Sequence, residues 1–519
     1  MLGRENRQWR PASGVVSTEG ASDVAVVPSD GQTPARAVFC NARGGTLHEK
    51  VPPLVYWGAA AGFDPARVWK MPVNSGYEAS GADLNADGLV DLISLNSGHV
   101  GEAADADPNL GANVFFGGPL SPNALHGFDE KKRVALREFG LGSSNVADLN
   151  RDGYLDIVLG AFEHDDGRPE VLVIYYGSVD GFSRDRRQAI LSPHRSIGCA
   201  IGDYNRDDWL DIAVTSYASH EVRVFWGSPD GFHSERKSLL ELPSPIGLET
   251  ADLNADGYLD LIVGSYNDPR AGHHDTGTFI FWGASRGFRE QNAQWLPGFT
   301  PVGFVVADFD ANGFLDLFSP HYHADLTRES LPCYLYWGSA KGLSTRNRTI
   351  LICDSADDGV AADFDRDGRL DLAVACHSRD GSHYTRSRIF YNDGRRFSSP
   401  RIEYLPTHGP HWMYVQDMGH IYNRKFEQTY ESSVFQWHGP AGQGELTSKV
   451  DEAVGTELLI EVRSAADDRD LGKKEWRPVL ANPFALEPTD RCLQYRATFK
   501  SDNGDRYPIL DRVTFRLGS

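Results

Sequence analysis

Short acidic loops are the segments of this chain whose residue types and spacing could do the most specific chemistry. In the stretch ADLNADGYLDLIVGSY, oxygen-bearing side chains stand at loop positions 1, 3, 5 and 9, from Asp252, Asn254, Asp256 and Asp260. This alternation around a tight turn collects the oxygen ligands that Ca²⁺ prefers, and a glycine at position 6 tolerates the backbone angles of the turn. The loop therefore predicts a calcium site, with the Tyr258 carbonyl as a further ligand.

The acidic loop occurs six times, so up to six Ca²⁺ ions are predicted. The ligands predicted for the other five copies are Asp83, Asn85, Asp87, Asp91; Asp148, Asn150, Asp152, Asp156; Asp203, Asn205, Asp207, Asp211; Asp308, Asp310, Asn312, Asp316; and Asp363, Asp365, Asp367, Asp371. Asp208 replaces the position-6 glycine in the third copy and Asn312 replaces an aspartate in the fifth, so we expect weaker binding there. The alternative is a set of acidic surface turns that bind no ion.

Three later segments combine histidine, tyrosine and arginine, namely 265–277, 319–332 and 376–388. Imidazole, phenol and guanidinium groups together can take a proton from a carbon beside a carboxylate, because Arg or His neutralises the acid while Tyr or His moves the proton. The predicted catalytic residues are His274, His321, Tyr322, His323, His377, His383 and Tyr384. The predicted substrate-binding residues are Arg270, Arg328, Arg386, Arg388, His408 and His411.

Simpler interpretations of these residues stay open. A histidine in a loop is usually solvated or hydrogen-bonded, and the two tyrosines could pack a groove wall. The arginines could pair with Asp325 and Asp380 instead of a ligand. The pair His321 and His323 could also bind Zn²⁺ if His274 or His377 completed the site.

A repeat of short strands must position these segments. The loop starts lie 49 to 65 residues apart, and a period near 50 built from short strands is typical of a β-propeller. Each unit predicts four strands, A to D, with the acidic loop between A and B and an aromatic-glycine segment such as FWGASRGF at strand C.

Seven such segments accompany six acidic loops, so the sequence predicts an all-β fold with a seven-bladed propeller; eight blades is the alternative. The first blade is expected to take strand B from SDVAVV (22–27) and strand A from 411–417.

Strand direction alternates, so the acidic loops and C–D turns share one face, and the B–C and D–A connections share the other. Thirteen of the 17 histidines fall in or beside B–C and D–A connections, a bias that random scatter would not give. After the propeller, longer alternating strands such as TELLIEVRSA predict a small β-sandwich. The predicted organisation is an N-terminal extension (1–19), the propeller (20–417) and the sandwich (426–519).

The repeats resemble the FG-GAP/VCBS repeats of integrin α-subunits and secreted bacterial proteins, over about residues 20–417. The resemblance rests on ADLNADGYLDLIVGSY and FWGASRGF. It implies a β-propeller with Ca²⁺ in the A–B loops, but no single function, since these propellers serve adhesion, glycan binding and catalysis. Propeller-fold polysaccharide lyases, such as ulvan lyases, look similar in placing His, Tyr and Arg in a groove on one face. No catalytic position is transferred from them.

Composition narrows the partners and the compartment. A net charge of −21 argues against nucleic acid or an anionic membrane as partner, and the six loops hold 19 of the carboxylates. The chain has no apolar run long enough to insert into a membrane. Its six cysteines lack zinc spacing and are interpreted as small buried residues, although one or two disulfides stay open.

The N-terminal segment lacks the apolar core of a signal peptide, yet calcium loops favour an extracellular or periplasmic location, as expected of a mature or truncated form. No motif for a nucleotide, zinc-protease or serine-hydrolase site occurs.

Two functions are therefore predicted. The first is an extracellular carbohydrate-active protein that binds an acidic polysaccharide on its His/Tyr/Arg face and, if catalytic, is a lyase that cleaves by β-elimination. The second is a non-catalytic glycan-binding or adhesion module stabilised by calcium, for which a protein partner is also open.

Overall fold

A computed structural model describes residues 21–27, 34–41, 52–59, 62–73, 76–96, 111–120, 126–138, 141–161, 171–191, 196–379, 382, 384–408, 425–439, 441–452, 454–502 and 507–518. Within 21–408, these residues form seven four-stranded antiparallel sheets, each made of four consecutive strands. We call these sheets blades 1 to 7.

Blade 1 contains β1 (Ala21–Val27), β2 (Arg36–Asn41), β3 (Leu54–Ala59) and β4 (Gly62–Lys70), and blade 2 contains β5 (Gly76–Ala82), β6 (Asp91–Asn96), β7 (Gly111–Phe115) and β8 (Val134–Leu136). Blade 3 contains β9 (Leu141–Ala147), β10 (Asp156–Ala161), β11 (Val171–Tyr175) and β12 (Arg187–Leu191), and blade 4 contains β13 (Ser196–Gly202), β14 (Asp211–Ser216), β15 (Glu221–Phe225) and β16 (Lys237–Glu241).

Blade 5 contains β17 (Pro245–Ala251), β18 (Asp260–Ser265), β19 (Thr278–Phe281) and β20 (Gln294–Leu296). Blade 6 contains β21 (Val305–Ala307), β22 (Asp316–Ser319), β23 (Leu331–Tyr336) and β24 (Arg348–Cys353). Blade 7 contains β25 (Ala356–Ala362), β26 (Asp371–Cys376), β27 (Tyr384–Tyr391) and β28 (Arg401–His408). Short 3₁₀ turns at Glu130–Lys132, Arg184–Arg186 and Glu290–Asn292 precede the fourth strands of three blades.

Apolar packing between neighbouring blades forms the core. The second strand of each repeat, which follows the acidic loop, is an apolar run, and every residue of β14 and β18 is buried. The first strands β1, β5, β9, β13 and β17 each contact the next of the set. One core cluster joins Leu253 and Ile262 of blade 5 to Leu317 and Tyr336 of blade 6. The apolar side chains of the repeats therefore pack between blades as well as within them.

The first blade differs from the prediction. Ala21–Val27 is its first strand, not its second, and β2, β3 and β4 complete four strands from residues 21–70. Blade 1 has no acidic loop motif, so the order of its strands could not be set from one. Residues 411–417, predicted to supply its strand A, lie outside the described residues.

The C-terminal unit forms two antiparallel sheets, as predicted for a sandwich. One contains β29 (Glu427–Glu431), β30 (Phe435–Gln436), β32 (Thr456–Ala465), β33 (Arg477–Pro478) and β35 (Cys492–Ser501); the other contains β31 (Gln443–Asp451), β34 (Phe484–Ala485) and β36 (Ile509–Gly518). The short helix α1 (Asp468–Leu471) follows β32. Leu446 and Phe515 of one sheet pack with Val462 and Leu493 of the other, which makes the core of the sandwich.

Two further sequence expectations concern the whole chain. The six cysteines are all buried on strands and form no disulfide bond. Among the described residues, no helix has the length and hydropathy needed to cross a lipid bilayer.

Candidate functional site

The last aspartate of each acidic loop is a buried structural acceptor. In loop five, the Asp316 carboxylate accepts the Phe309 N–H at 2.9 Å and the Gly338 N–H at 2.7 Å, so it ties the A–B loop to the C–D connection. The same pair of contacts recurs at Asp91, Asp156, Asp211, Asp260 and Asp371. Burial raises the pKa of Asp91, Asp156 and Asp316 to about 7.

The backbone of the six loops is shared. The fourth residue of each loop has φ between 54° and 63°, and the position-6 glycines have φ between 83° and 95°. Asp208 occupies that left-handed position in loop three with φ 72°, a backbone conformation that is less favourable for aspartate than for glycine. The geometry therefore follows the nine-residue pattern in all six copies.

Two loops bring three carboxylates together. Ligand atoms of Asp308, Asp310 and Asp316, and likewise of Asp363, Asp365 and Asp371, lie within 4.8 Å of one another. Oδ1 of Asp310 is buried and accepts no hydrogen bond. A cation among these carboxylates would satisfy that oxygen, so loop five fits a hard ion such as Ca²⁺. In the part of the chain that the structure describes, no three histidines are grouped closely enough to hold Zn²⁺.

At the opposite end of the blades, the repeat places an aromatic ring just after the second strand. Six residues beyond the last loop aspartate stand Tyr217, Tyr266, Tyr322 and His377 in blades 4 to 7. The Tyr217 and Tyr266 ring centroids are 5.4 Å apart, and those of Tyr322 and His377 are also 5.4 Å apart. We call this row the aromatic row.

Hydroxyl residues in the D–A connections hold the aromatic row in place. Thr300 donates its hydroxyl to the Tyr266 carbonyl at 2.7 Å, and its own carbonyl accepts the Tyr322 N–H at 3.2 Å. Ser355 repeats this arrangement between the Tyr322 carbonyl, at 2.9 Å, and the His377 N–H, at 2.9 Å. Both residues are buried with φ near 45°, so their conformation is fixed by contacts to two blades at once.

Two histidines lie next to the aromatic row. The rings of His274 and His323 are 4.1 Å apart, and Nδ1 of His274 lies 3.0 Å from the Thr300 hydroxyl. Burial, with the neighbouring His274 and Arg328, lowers the pKa of His323 to about 4. His323 is therefore a neutral imidazole at physiological pH, able to donate one hydrogen bond and accept another.

Arg328 brings the positive charge to this cluster. Its guanidinium lies 4.9 Å from the centre of the Tyr322 ring and donates to the Tyr322 hydroxyl at 3.2 Å. Burial raises the pKa of Tyr322 to about 12, so the phenol stays protonated. Within the described residues, no carboxylate forms an ion pair with Arg328, which leaves a half-buried cation beside aromatic rings.

The structure groups only part of the predicted site. It brings His274, Tyr322, His323, His377 and Arg328 together, but His321 is fully buried between Phe299 and Tyr334 and cannot reach a ligand. Neither ring nitrogen of His321 makes a hydrogen bond.

Arg388 also departs from its predicted role. It is buried and bound to Asp354 and to the Ile352 carbonyl, so its charge is already compensated.

Other predicted residues lie at the edge of the site or beyond the description. Arg270, Tyr384 and Arg386 are exposed. His408 pairs with Tyr384 across β27 and β28, and its side chain is not described. His383 and His411 lie outside the described residues. Sequence reasoning missed Tyr217, Tyr266, Thr300 and Ser355, although the aromatic residues could have been found by their constant spacing from the last loop aspartate.

Together, the seven four-stranded sheets of the described residues and the acidic loop between the first two strands of blades 2 to 7 define a β-propeller built from acidic-loop repeats. Comparison with known families agrees, since residues 148–214, 203–263 and 252–319 each match the FG-GAP-like repeat. These matches place FG-GAP-like repeats within residues 148–319 and support the FG-GAP repeat propeller family that the sequence resembles.

Similar proteins include human integrin alpha-6, which is 30% identical over 164 residues covering 30% of this chain and 13% of that protein. Human integrin alpha-IIb is 31% identical over 166 residues, covering 30% of this chain and 16% of its own length. The matched region thus spans a small part of these relatives. Among solved structures, BBS1N in complex with ARL6DN aligns at 11% identity over 70% of this chain and 90% of that chain, with a TM-score of 0.41.

Proposed function

We propose that this protein is an extracellular or periplasmic binding propeller whose aromatic row, with His274, His323 and Arg328, binds an acidic polysaccharide. The observation that carries the proposal is Arg328, a half-buried arginine stacked on Tyr322 with no carboxylate partner among the described residues. A guanidinium in such a place favours a carboxylate or sulfate ligand, which it can hold by charge-assisted hydrogen bonds.

The neighbouring groups suit a sugar chain. Aromatic rings offer flat apolar faces to sugar rings, while phenol and neutral imidazole groups donate and accept hydrogen bonds with hydroxyls. Blades 4 to 7 repeat the aromatic position, so the row could contact several sugar units in succession. This repetition favours a polymer over a single small molecule as the ligand.

Calcium in the six acidic loops is the structural part of the proposal. Two observations support it: Oδ1 of Asp310 lacks a hydrogen bond, and loops five and six each bring three carboxylates together. Bound ions would stabilise the end of each blade opposite the aromatic row. Chelation should therefore lower the melting temperature, and added Ca²⁺ should restore it; an unchanged melting temperature would overturn this part.

Binding is tested by isothermal titration calorimetry with polygalacturonate, alginate and hyaluronan. R328A should weaken binding of the best ligand by about 10- to 100-fold, since a hydrogen bond to a charged group contributes about 1.5–3 kcal/mol. The matched control is R346A, which removes an exposed arginine from the C–D connection at the opposite end of the same blade. Equal loss in both variants, or no binding to any of the polymers, would overturn the assignment.

β-Elimination is the second candidate, favoured by a neutral imidazole beside a protonated phenol and an arginine. In that reaction His323 would accept the proton beside the uronate carboxylate, Arg328 would neutralise the carboxylate, and Tyr322 would protonate the leaving oxygen. Ultraviolet absorbance of the unsaturated product is the assay. H323A and Y322F should each abolish a lyase activity; binding without product on every polymer would establish the non-catalytic module.

A further inference from the structure

The third position of the acidic loops separates loops one to four from loops five and six. It is asparagine in the first four loops but aspartate, Asp310 and Asp365, in the last two. In loops one and two the asparagine amide donates to the position-5 carboxylate at 3.1 Å. An aspartate cannot donate in this way, so its charge needs compensation from elsewhere when no cation is bound.

Arg396 compensates the charge of Asp310. Its guanidinium meets Asp310 Oδ2 through Nε at 2.8 Å and through Nη2 at 2.7 Å. Arg396 lies in the C–D connection of blade 7, whereas Asp310 lies in the A–B loop of blade 6. The Trp337 ring, 5.0 Å away, and the Asn347 side-chain oxygen, 3.3 Å away, hold the guanidinium in this position.

The two oxygens of Asp310 have different surroundings. Oδ2 is bound by Arg396, but Oδ1 is buried and accepts no hydrogen bond. A buried oxygen without a donor is costly unless a cation or water satisfies it. Asp310 is grouped with Asp308 and Asp316, so a cation bound by this group would be the natural partner of that oxygen.

We propose that Arg396 is a built-in counter-charge for loop five: it stabilises the loop when no ion is bound and lowers the loop's affinity for Ca²⁺. The inference rests on the calcium binding proposed above. A unit positive charge on Asp310 offsets one of the loop's carboxylates and repels a divalent ion nearby. In loop six the counter-charge comes from the same blade: Arg401 lies 3.1 Å from Asp365 and 3.3 Å from the centre of the Tyr391 ring, and it is shared with Glu403 at 3.8 Å.

The test is calcium titration calorimetry on the chelator-treated full chain, combined with melting curves. Relative to wild type, R396A should bind Ca²⁺ about tenfold more tightly at one site. Without calcium, its melting temperature should be lower, and the rise on adding calcium should be larger. R396K should stay close to wild type because the charge remains. R346A removes an exposed arginine for which no ion pair is found among the described residues, and it should match wild type in both measurements.

Adding D308N to R396A should remove the tightened site, which assigns it to loop five. Should R396A not fold, R396Q keeps an amide donor without the charge and must show the same tightening. Unchanged or weaker calcium binding in R396A or R396Q, with normal binding by the wild-type protein, would overturn the role of Arg396 and leave the calcium proposal intact. Absence of calcium binding by the wild-type protein would overturn both.

Discussion

The Glu78 carboxyl gives a prediction that depends on pH. Glu78 is buried on β5, and its Oε1 accepts the Ser144 N–H at 2.9 Å and the Ser144 hydroxyl at 2.6 Å. Burial raises its pKa to about 8, and the nearby Asp23 adds to the increase. The pKa of Asp23 is itself raised to about 7 by burial, and its carboxyl contacts the Cys40 thiol. Glu78 is therefore protonated in the folded protein at neutral pH.

The sign of the pH dependence follows from the two states. The unfolded chain ionises Glu78 above pH 4.5, whereas the folded protein keeps the proton until about pH 8. Between these values the folded protein holds one more proton at Glu78 than the unfolded chain does, so this group lowers the free energy of unfolding by about 1.4 kcal/mol per pH unit. The effect of Glu78 becomes flat above pH 8. Over the whole range from pH 4.5 to about pH 8, ionisation of Glu78 lowers the free energy of unfolding by about 5 kcal/mol.

E78Q keeps the side-chain oxygen that accepts from Ser144 but removes the ionisable group. The variant should gain stability relative to wild type as the pH rises from 5 to 8. Urea unfolding followed by tryptophan fluorescence, with chelator present so that the acidic loops stay free of metal, measures this difference. The control is E235Q at an exposed glutamate. If E78Q and wild type lose stability with the same slope over this range, the buried, protonated Glu78 is refuted.

Two further predictions concern the ends of the blades. D316N should lower the free energy of unfolding by about 2–4 kcal/mol in chelator, because the amide of the asparagine turns a donor toward one of two buried N–H groups. A loss below about 1 kcal/mol in urea unfolding would contradict the role of Asp316 in bridging the A–B loop and the C–D connection. T300V should lower the free energy of unfolding by about 1–2 kcal/mol, because it removes the hydroxyl that donates to the Tyr266 carbonyl. T345V, at an exposed threonine, should lower it by less than about 0.5 kcal/mol. Equal losses in the two threonine variants would contradict the interblade role of Thr300.

The acidic loops and second strands could be predicted from sequence because their information is local. All predicted ligand positions of a loop lie within nine residues, and the loop shows which strands are the first and second of its blade. Blade 1 lacks this loop, and the order of its strands was predicted wrongly. Ala21–Val27 has the apolar pattern of a second strand but forms the first strand of its blade.

Contacts between blades could not be predicted in the same way. His321 and His323 look equivalent in the sequence, yet Phe299 and Tyr334 enclose only His321. Arg388 meets Asp354 from 34 residues away, and Arg396 meets Asp310 from 86 residues away. The partner of each charge depends on how one blade follows the next, which the spacing of motifs does not specify.

The repeat explains how one scaffold could carry a specialised surface. At one end of the blades, the loop aspartates bind backbone N–H groups in every copy, so that end is fixed by the same contacts. At the other end, Thr300 and Ser355 bind only main-chain groups of the aromatic row, so the side chains of that row are free to differ. They do differ, as tyrosine in blades 4 to 6 and histidine in blade 7. Variation at a fixed backbone position would change the ligand without changing the blade, which is why this row, rather than the more conspicuous acidic loops, should determine what the propeller binds.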